Sequence, residues 1–147
     1  MLAQNFKSAD ELKISEAQKD ALIKTLVLLE TGKLIHASPD DEDFFINNSW
    51  EEAGLKPRFD GRFNLGTWAA TANCGTVACI GGTAEAISGV RFHGWMDRLD
   101  GLRDLFTPQC LSFREWSKVT PTEAATALRS YLTTGDARWD LAVASSV

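Results

Sequence analysis

Hydrophobic residues recur at helical spacing in the first part of the chain. Leucines follow one another at intervals of four and three residues from Leu22 to Leu29, and charged side chains lie largely off that face. This spacing places apolar side chains on one side of an α-helix. Ser15 and Gln18 have the spacing of a capping box, which satisfies free amide groups at a helix start. The pattern therefore predicts an amphipathic helix over 15–31.

Two further helices are predicted in the second half of the chain. Over residues 95–106, apolar side chains fall at positions i, i+4, i+7 and i+11, and charged residues occupy the other side. A strong cap signal follows, because Thr120 can cap, Pro121 fits the first helical position and Glu123 completes a capping box. This signal predicts a helix over 121–134.

An acidic run lies between the first helix and the centre of the chain. Ser38 and Pro39 precede four consecutive acidic residues. The run lacks the ligand alternation and the glycine of a calcium loop. Acidic side chains in a first helical turn face the positive end of the helix dipole, so the run predicts a helix over 40–53. Alternating aromatic and polar positions near 59–68 indicate a short strand or hairpin.

The central segment, residues 73–89, is unusual because it carries a single charge in seventeen residues. Its residues are small or apolar on every side. A helix with that composition is usually buried on several sides. We therefore predict a buried small-residue helix over 75–88, around which the other helices pack.

Two adjacent glycines within this predicted helix require an explanation. Each glycine in a helix interior costs roughly 1 kcal/mol relative to alanine. Close approach of another group at Gly81 and Gly82 would offset that cost. Trp68 and Trp95 flank the segment and are the expected neighbours.

These elements predict an all-α or mostly α fold with about five helices. A chain of 147 residues fits one domain, so we expect a single globular domain over 1–147. We expect frayed ends at 1–10 and 142–147, where no strong pattern holds the chain.

Charge and composition limit the classes of partner that the chain is expected to bind. With 15 basic and 20 acidic residues the net charge is −5, which argues against binding to nucleic acid or to anionic membranes. A cluster of Lys56, Arg58 and Arg62 beside two phenylalanines could contact a nucleic acid strand, but a solvated loop is the better interpretation. No signal peptide or run of 18 apolar residues is visible, and the three cysteines are odd in number. We therefore expect a cytoplasmic protein with free thiols and no membrane association.

Cys74 is the main candidate for a catalytic nucleophile. A thiol at a helix start has a lowered pKa, and hydrolases of the papain type place their nucleophile there. The required base could be His93 or His36. The alternative is that Cys74 is a buried small apolar side chain. Cys74 and Cys79 are five residues apart, which does not suit a zinc ligand pair, so we predict no metal site.

No phosphate-binding glycine motif is present, so no cofactor is predicted either.

A motif from Trp68 to Gly82, with the pattern W-x5-C-G-T-x-x-C-I-x-G, resembles a group of short uncharacterised proteins of bacteria and their phages. Similar positions continue to Trp139, so that the resemblance covers about residues 63–139. Thr83 departs from the aromatic or bulky residue that these proteins often have there. The resemblance implies a bacterial or phage-derived origin and no established activity.

The leading hypothesis is a small non-enzymatic binding, regulatory or interaction module. Five tryptophans and eight phenylalanines supply apolar surface for a groove or an interface. The partner would be an unknown protein or a small molecule, and a homodimer is one form of such an interface. The alternative is a cysteine-dependent, hydrolase-like enzyme that uses Cys74 with His93 or His36.

Overall fold

A computed structural model describes residues 6–37, 47, 49–72, 75–111 and 116–144. Within these residues the chain forms six α-helices and four short β-strands. The helices are α1 Ala9–Leu12, α2 Glu16–Glu30, α3 Ile80–Ser88, α4 Gly101–Phe106, α5 Pro121–Thr134 and α6 Trp139–Ala144, with a 3-10 turn at Trp95–Asp97. The strands are β1 Ile35–His36, β2 Arg62–Phe63, β3 Ala69–Ala72 and β4 Gly75–Ala78. No helix of the described residues is long and apolar enough to cross a membrane.

The strands form one mixed sheet, in the order β1-β2-β4-β3. Strand β2 runs parallel to both neighbours, and β3 pairs with β4 in antiparallel register, with Ala70 opposite Val77. The prediction of an all-α or mostly α fold is therefore wrong, and the chain has an α/β fold. The strand predicted near 59–68 is present as β2, and it joins a sheet that the sequence did not indicate.

Contacts between helices supply most of the core. Helix α2 packs against both α3 and α5. The buried side chains at these contacts include Leu22 and Leu26 of α2, Ile80 of α3 and Leu128 of α5. Burial of an apolar side chain of this size contributes about 1.5–3 kcal/mol, so the α2–α3–α5 contact is a main source of stability.

Two helices have the predicted positions and caps. At α2, the hydroxyl of Ser15 accepts a hydrogen bond from Gln18 N at 3.0 Å, and the Gln18 side chain accepts one from Ser15 N at 2.9 Å. At α5, Thr120 and Glu123 make the same reciprocal pair, and Gly135 ends the helix with a positive φ. The predictions of 15–31 and 121–134 are confirmed to within a residue.

The predicted central helix over 75–88 is wrong in its first turn. Residues Gly75–Ala78 form β4, and α3 begins only at Ile80 with Cys79 as its N-cap. Strand pairing outweighs helical preference here, because β4 lies between β2 and β3 and is bonded on both sides. Asp60 adds an anchor, since its carboxylate accepts hydrogen bonds from Thr76 N and Thr76 Oγ1 at 2.7 and 2.6 Å.

The predicted helix over 95–106 is interrupted. Arg98 donates from Nη1 and Nη2 to the carbonyl oxygens of Lys13 and Leu12 at the end of α1, at 2.7 and 3.0 Å. Asp100 then caps α4. The interruption turns Leu99 outward, where it is 95% exposed instead of buried.

The ends and the acidic run also differ from expectation. Ser8 caps α1, and α6 extends to residue 144, so the frayed ends predicted at 1–10 and 142–147 include regular structure. Residues 38–46 and 48 lie outside the described residues. The part of the predicted helix 40–53 that is described, from residue 49 onward, forms turns.

Candidate functional site

A cavity of about 350 Å³ opens between α3 and the segment that follows it. Its lining is formed by Ser49, Glu51, Trp68, Glu85 and residues 91–97. We call it the Trp68 pocket. It combines indole rings with charged side chains.

Trp68 forms the inner wall, and helix α3 holds it in place. A β-carbon at Gly81 would overlap the outer ring of the indole, and one at Gly82 would overlap the Trp68 carbonyl oxygen. The close approach predicted for these glycines is therefore confirmed for Trp68. Trp50 reaches the same turn, because its Nε1 donates to the Gly82 carbonyl oxygen at 3.2 Å. Because Gly81 and Gly82 have no side chains, Trp68 packs directly on the backbone of α3, and this contact fixes the wall of the pocket.

An aromatic cluster extends this wall outward. The rings of Trp68 and Trp95 stack with centroids 5.1 Å apart and planes 9° from parallel. Phe106 stands edge-on to both indoles, at 5.1 and 5.4 Å. Offset stacks and edge contacts are the favoured arrangements of aromatic rings, and each is worth about 0.5–1.5 kcal/mol beyond its buried area. Trp95 is partly exposed and therefore belongs to both the core and the pocket.

Glu85 is the buried carboxylate of the pocket, with 6% of its surface exposed. Oε1 accepts a hydrogen bond from Trp68 Nε1 at 2.9 Å, and Oε2 accepts one from Phe92 N at 3.0 Å. Burial raises the pKa of Glu85, while these two bonds and the nearby Arg91 guanidinium partly oppose that shift. The carboxylate is thus fixed in orientation by donors on two different segments.

Arg91 lies between two carboxylates without a close bond to either. Its Nη1 is 4.0 Å from Glu85 Oε1, and its Nε is 3.8 Å from Glu51 Oε1. Nη1 is buried and has no hydrogen-bond acceptor within the described part of the chain. The backbone is held from the other side, because Gln18 Nε2 donates to the Arg91 carbonyl oxygen at 2.8 Å. The hydrogen bond from Gln18 to the Arg91 backbone therefore fixes the position of this residue more firmly than the two distant carboxylates do.

The two predicted histidines lie in different surroundings. His93 is exposed and lines the Trp68 pocket. His36 lies on β1, and its Nε2 is 2.8 Å from the Ser117 carbonyl oxygen. Because a carbonyl oxygen can only accept a hydrogen bond, Nε2 is the donor, and Nδ1 is the ring nitrogen that keeps a basic lone pair.

Cys74 lies outside the described residues, so its pairing with either histidine stays a prediction. Helix α3 begins at Ile80 with Cys79 as its N-cap, so the predicted helix start at Cys74 is wrong. Cys79 itself is 2% exposed, and burial raises the pKa of its thiol to about 12. A thiol of that kind stays protonated and unreactive near neutral pH.

One residue of the basic cluster at 56–62 has a structural partner. Arg58, from the cluster considered for nucleic acid, lies 3.1 Å from Asp60, and its Nε donates to that carboxylate. Hydrogen bonds from Thr76 and Arg58 lower the pKa of Asp60. Across the described ranges, no group of three or more His, Cys, Asp and Glu side chains is placed to hold a metal ion.

The sequence pattern did not single out Glu85 and Arg91 as site residues. One signal was present for Glu85, since it is the single charged residue in an otherwise uncharged segment of seventeen residues. A buried carboxyl in such a segment needs donors, and the sequence does not reveal that Trp68 and Phe92 supply them. Arg91 gave no comparable signal.

No protein-family model, curated protein or solved structure matches this chain. The resemblance to short bacterial and phage proteins stays a prediction. The function is therefore argued from the geometry of the Trp68 pocket.

Proposed function

We propose that this chain is a non-enzymatic binding module whose ligand is a small molecule held in the Trp68 pocket. The observation that carries the proposal is the joining of a fixed aromatic wall to polar groups in one cavity. Small-molecule sites are typically concave, partly apolar, largely pre-formed and furnished with a few oriented polar groups. The pocket has each of these properties in the stacked indoles, the oriented Glu85 carboxylate and the rim residues 91–97.

The bonding of Glu85 favours binding over proton transfer. A general acid or base exchanges a proton with a reacting group near the working pH. The two donors to Glu85 are an indole N–H and a backbone N–H, and neither titrates in that range. Such bonds orient a carboxylate and do not relay a proton.

The size of the cavity favours a small ligand. Pockets for small molecules span about 300–1,000 Å³, and a cavity of about 350 Å³ lies at the lower end of that range. Trp95 at the mouth can bury apolar surface of the ligand, while Glu51 and Asp97 keep its polar end hydrated.

A thermal-shift screen of the full chain tests the proposal. Three sets of small fragments would be used: amines, carboxylic acids and uncharged heteroaromatic compounds. We expect members of one set to raise the unfolding temperature of the wild-type chain, because a ligand that binds the folded state alone stabilises it. The Trp95→Ala variant should lose this response. Leu99→Ala removes an exposed side chain outside the pocket and should retain it. Absence of any response, or an equal response in Trp95→Ala, would contradict the proposal.

A further inference from the structure

We infer that the Trp68 pocket selects organic cations, namely small ligands with an alkylammonium group. The inference rests on the proposed function, because it names the ligand class of the same pocket. It follows from two independent features of the lining, one aromatic and one electrostatic.

The aromatic feature is the pair of stacked indoles. A cation within about 6 Å of an indole centroid is attracted by the negative face of the ring, and tryptophan is the strongest of the aromatic side chains in this respect. Trp95 is partly exposed at the pocket and stacks on Trp68. The Trp68 N–H donates to the Glu85 carboxylate, and this polarises the indole toward a more negative face. The aromatic wall therefore favours positive charge.

The electrostatic feature is an excess of carboxylates. Glu51, Glu85 and Asp97 line the cavity, and Arg91 is the one guanidinium among the described residues that line it. Glu85 accepts one donor on each oxygen, which leaves acceptor capacity on a group with about four acceptor positions. The Glu51 side chain is 71% exposed and can change its conformation to contact a ligand. The pocket as a whole attracts cations.

Arg91 is the feature that could favour an anion instead. Its Nη1 is buried and has no acceptor among the residues that the structure describes, so a carboxylate ligand would satisfy it. An anion at that point would meet Glu85, whose Oε1 lies 4.0 Å from the same nitrogen, and Glu51 beyond it. Like charges at such separations repel strongly when partly buried. The distances of 3.8 and 4.0 Å also show that Arg91 offsets charge without occupying the acceptor positions of either carboxylate.

The volume restricts the cation further. A cavity of about 350 Å³ accommodates a trimethylammonium or primary alkylamine group with a short chain. A folded peptide would not fit within it. Choline is therefore a suitable probe, and 3,3-dimethylbutan-1-ol is its uncharged analogue of the same shape. Butyrate serves as the anionic probe.

Binding is measured by NMR titration of the full chain, with the indole N–H signals assigned through single Trp→Phe variants. We expect choline to shift the Trp68 and Trp95 signals and to bind at least about fivefold more tightly than the uncharged analogue. Raising the salt concentration should weaken choline binding, since exposed charges are screened. Butyrate should leave the signals unchanged.

Two substitutions at neighbouring positions distinguish the effect of a charge in the pocket from the effect of the net charge of the protein. Glu51→Gln removes a lining carboxylate and should weaken choline binding about two- to fivefold. Glu52→Gln makes the same change one residue away, outside the lining, and should have no effect. Both positions are exposed, so both variants are expected to fold.

The outcomes distinguish this inference from the proposed function. Equal binding of choline and its uncharged analogue, or preferential binding of butyrate, would overturn the cation assignment while retaining the pocket as a binding site. Equal weakening by Glu51→Gln and Glu52→Gln would also overturn it. Failure of all three probes overturns the cation assignment, and the fragment screen then decides separately on the proposed function.

Discussion

Trp68 Nε1 donates to the Glu85 carboxylate at 2.9 Å, and the same indole covers Gly81 one helical turn earlier. A single side chain therefore spans one turn of α3, with its apolar ring over a glycine and its polar atom on an acid. This relationship ties the inner wall of the Trp68 pocket to the core helix. It leads directly to two predictions about stability.

The first prediction concerns Gly81→Ala. Alanine is favoured over glycine in a helix by about 1 kcal/mol, so the substitution would stabilise an unobstructed helix. Here the new β-carbon overlaps the Trp68 ring, and overpacking of a core costs about 1–3 kcal/mol. We expect the free energy of unfolding to fall, as measured by urea denaturation followed by circular dichroism.

A double-mutant cycle identifies the obstruction. Trp68→Leu removes the outer ring, so Gly81→Ala in that background should cost less or should stabilise. Gly82→Ala is the matched control, because its β-carbon would overlap the Trp68 carbonyl oxygen, which Trp68→Leu retains. Equal costs of Gly81→Ala in both backgrounds would contradict the assignment of Trp68 as the obstruction.

The second prediction is a pH dependence due to Glu85. Burial raises its pKa above the ordinary value of 4.5, so the folded chain binds this proton more tightly than the unfolded chain does. The stabilising effect of protonation is complete below the ordinary value and is lost as the pH rises through the raised pKa. The free energy of unfolding of the wild type should therefore fall, relative to that of Glu85→Gln, as the pH rises above the ordinary value of 4.5.

Urea denaturation of both proteins across this pH range measures the difference. Glu85→Gln keeps one oxygen for Trp68 and loses an acceptor for Phe92 N, so a constant offset is expected in addition. Glu52→Gln removes an exposed carboxylate and should follow the wild type at each pH. A pH-independent difference between wild type and Glu85→Gln would show that its proton affinity is the same in both states.

The third prediction concerns the thiols. Cys79 is buried with a pKa raised to about 12, whereas Cys110 is exposed. Iodoacetamide at pH 8 should alkylate Cys110 in the folded protein and Cys79 only in denaturant. Peptide mass spectrometry identifies the modified residue. Alkylation of Cys79 in the native state at a rate comparable to that of Cys110 would show that the helix start is open.

The same experiment tests the alternative enzyme hypothesis. A nucleophilic Cys74 would react at pH 6 to 7, because its thiolate would be populated there, and it would react faster than Cys110. His93→Ala and His36→Ala should then slow the reaction if either imidazole is the base. A Cys74 rate no greater than that of Cys110 would end the hypothesis of a catalytic cysteine.

The fourth prediction concerns the cap of α5. Thr120 Oγ1 accepts from Glu123 N at 3.2 Å, and Thr120 N donates to Glu123 Oε1 at 2.9 Å. Thr120→Ala removes the first bond and should lower the free energy of unfolding by about 1 kcal/mol. Thr122→Ala, at an exposed position within the first turn, is the control and should change it little. Equal effects of the two substitutions in thermal or urea unfolding would exclude a specific capping role.

The parts of the fold that the sequence predicted are those whose causes are local. Ser15 and Thr120 each bond within three residues of their own position, so the chain pattern is sufficient to identify α2 and α5. The strands have no comparable local cause. Ile35 pairs with Arg62, which is 27 positions away. The alternation near 59–68 indicated β2 but not its partners, and β1 has no pattern of its own.

Long-range contacts also explain the remaining errors. Arg98 interrupts a regular apolar spacing because it bonds to the end of α1, more than eighty residues away. The candidate site shows the same division. The glycines at 81 and 82 indicated a close neighbour and Trp68 is that neighbour, but the pairing of Glu85 with Trp68 and Arg91 depends on tertiary structure.

The fixed inner wall of the Trp68 pocket also has a consequence for how this sequence could change over time. A larger residue at Gly81 requires a smaller one at Trp68, and loss of the Trp68 N–H leaves Glu85 with Phe92 N as its remaining donor. These three positions should therefore covary among descendants of this chain. His93, Met96 and Asp97 at the outer wall are exposed and can vary one at a time. New ligand preferences would arise by substitution at the outer wall while the inner wall stays unchanged.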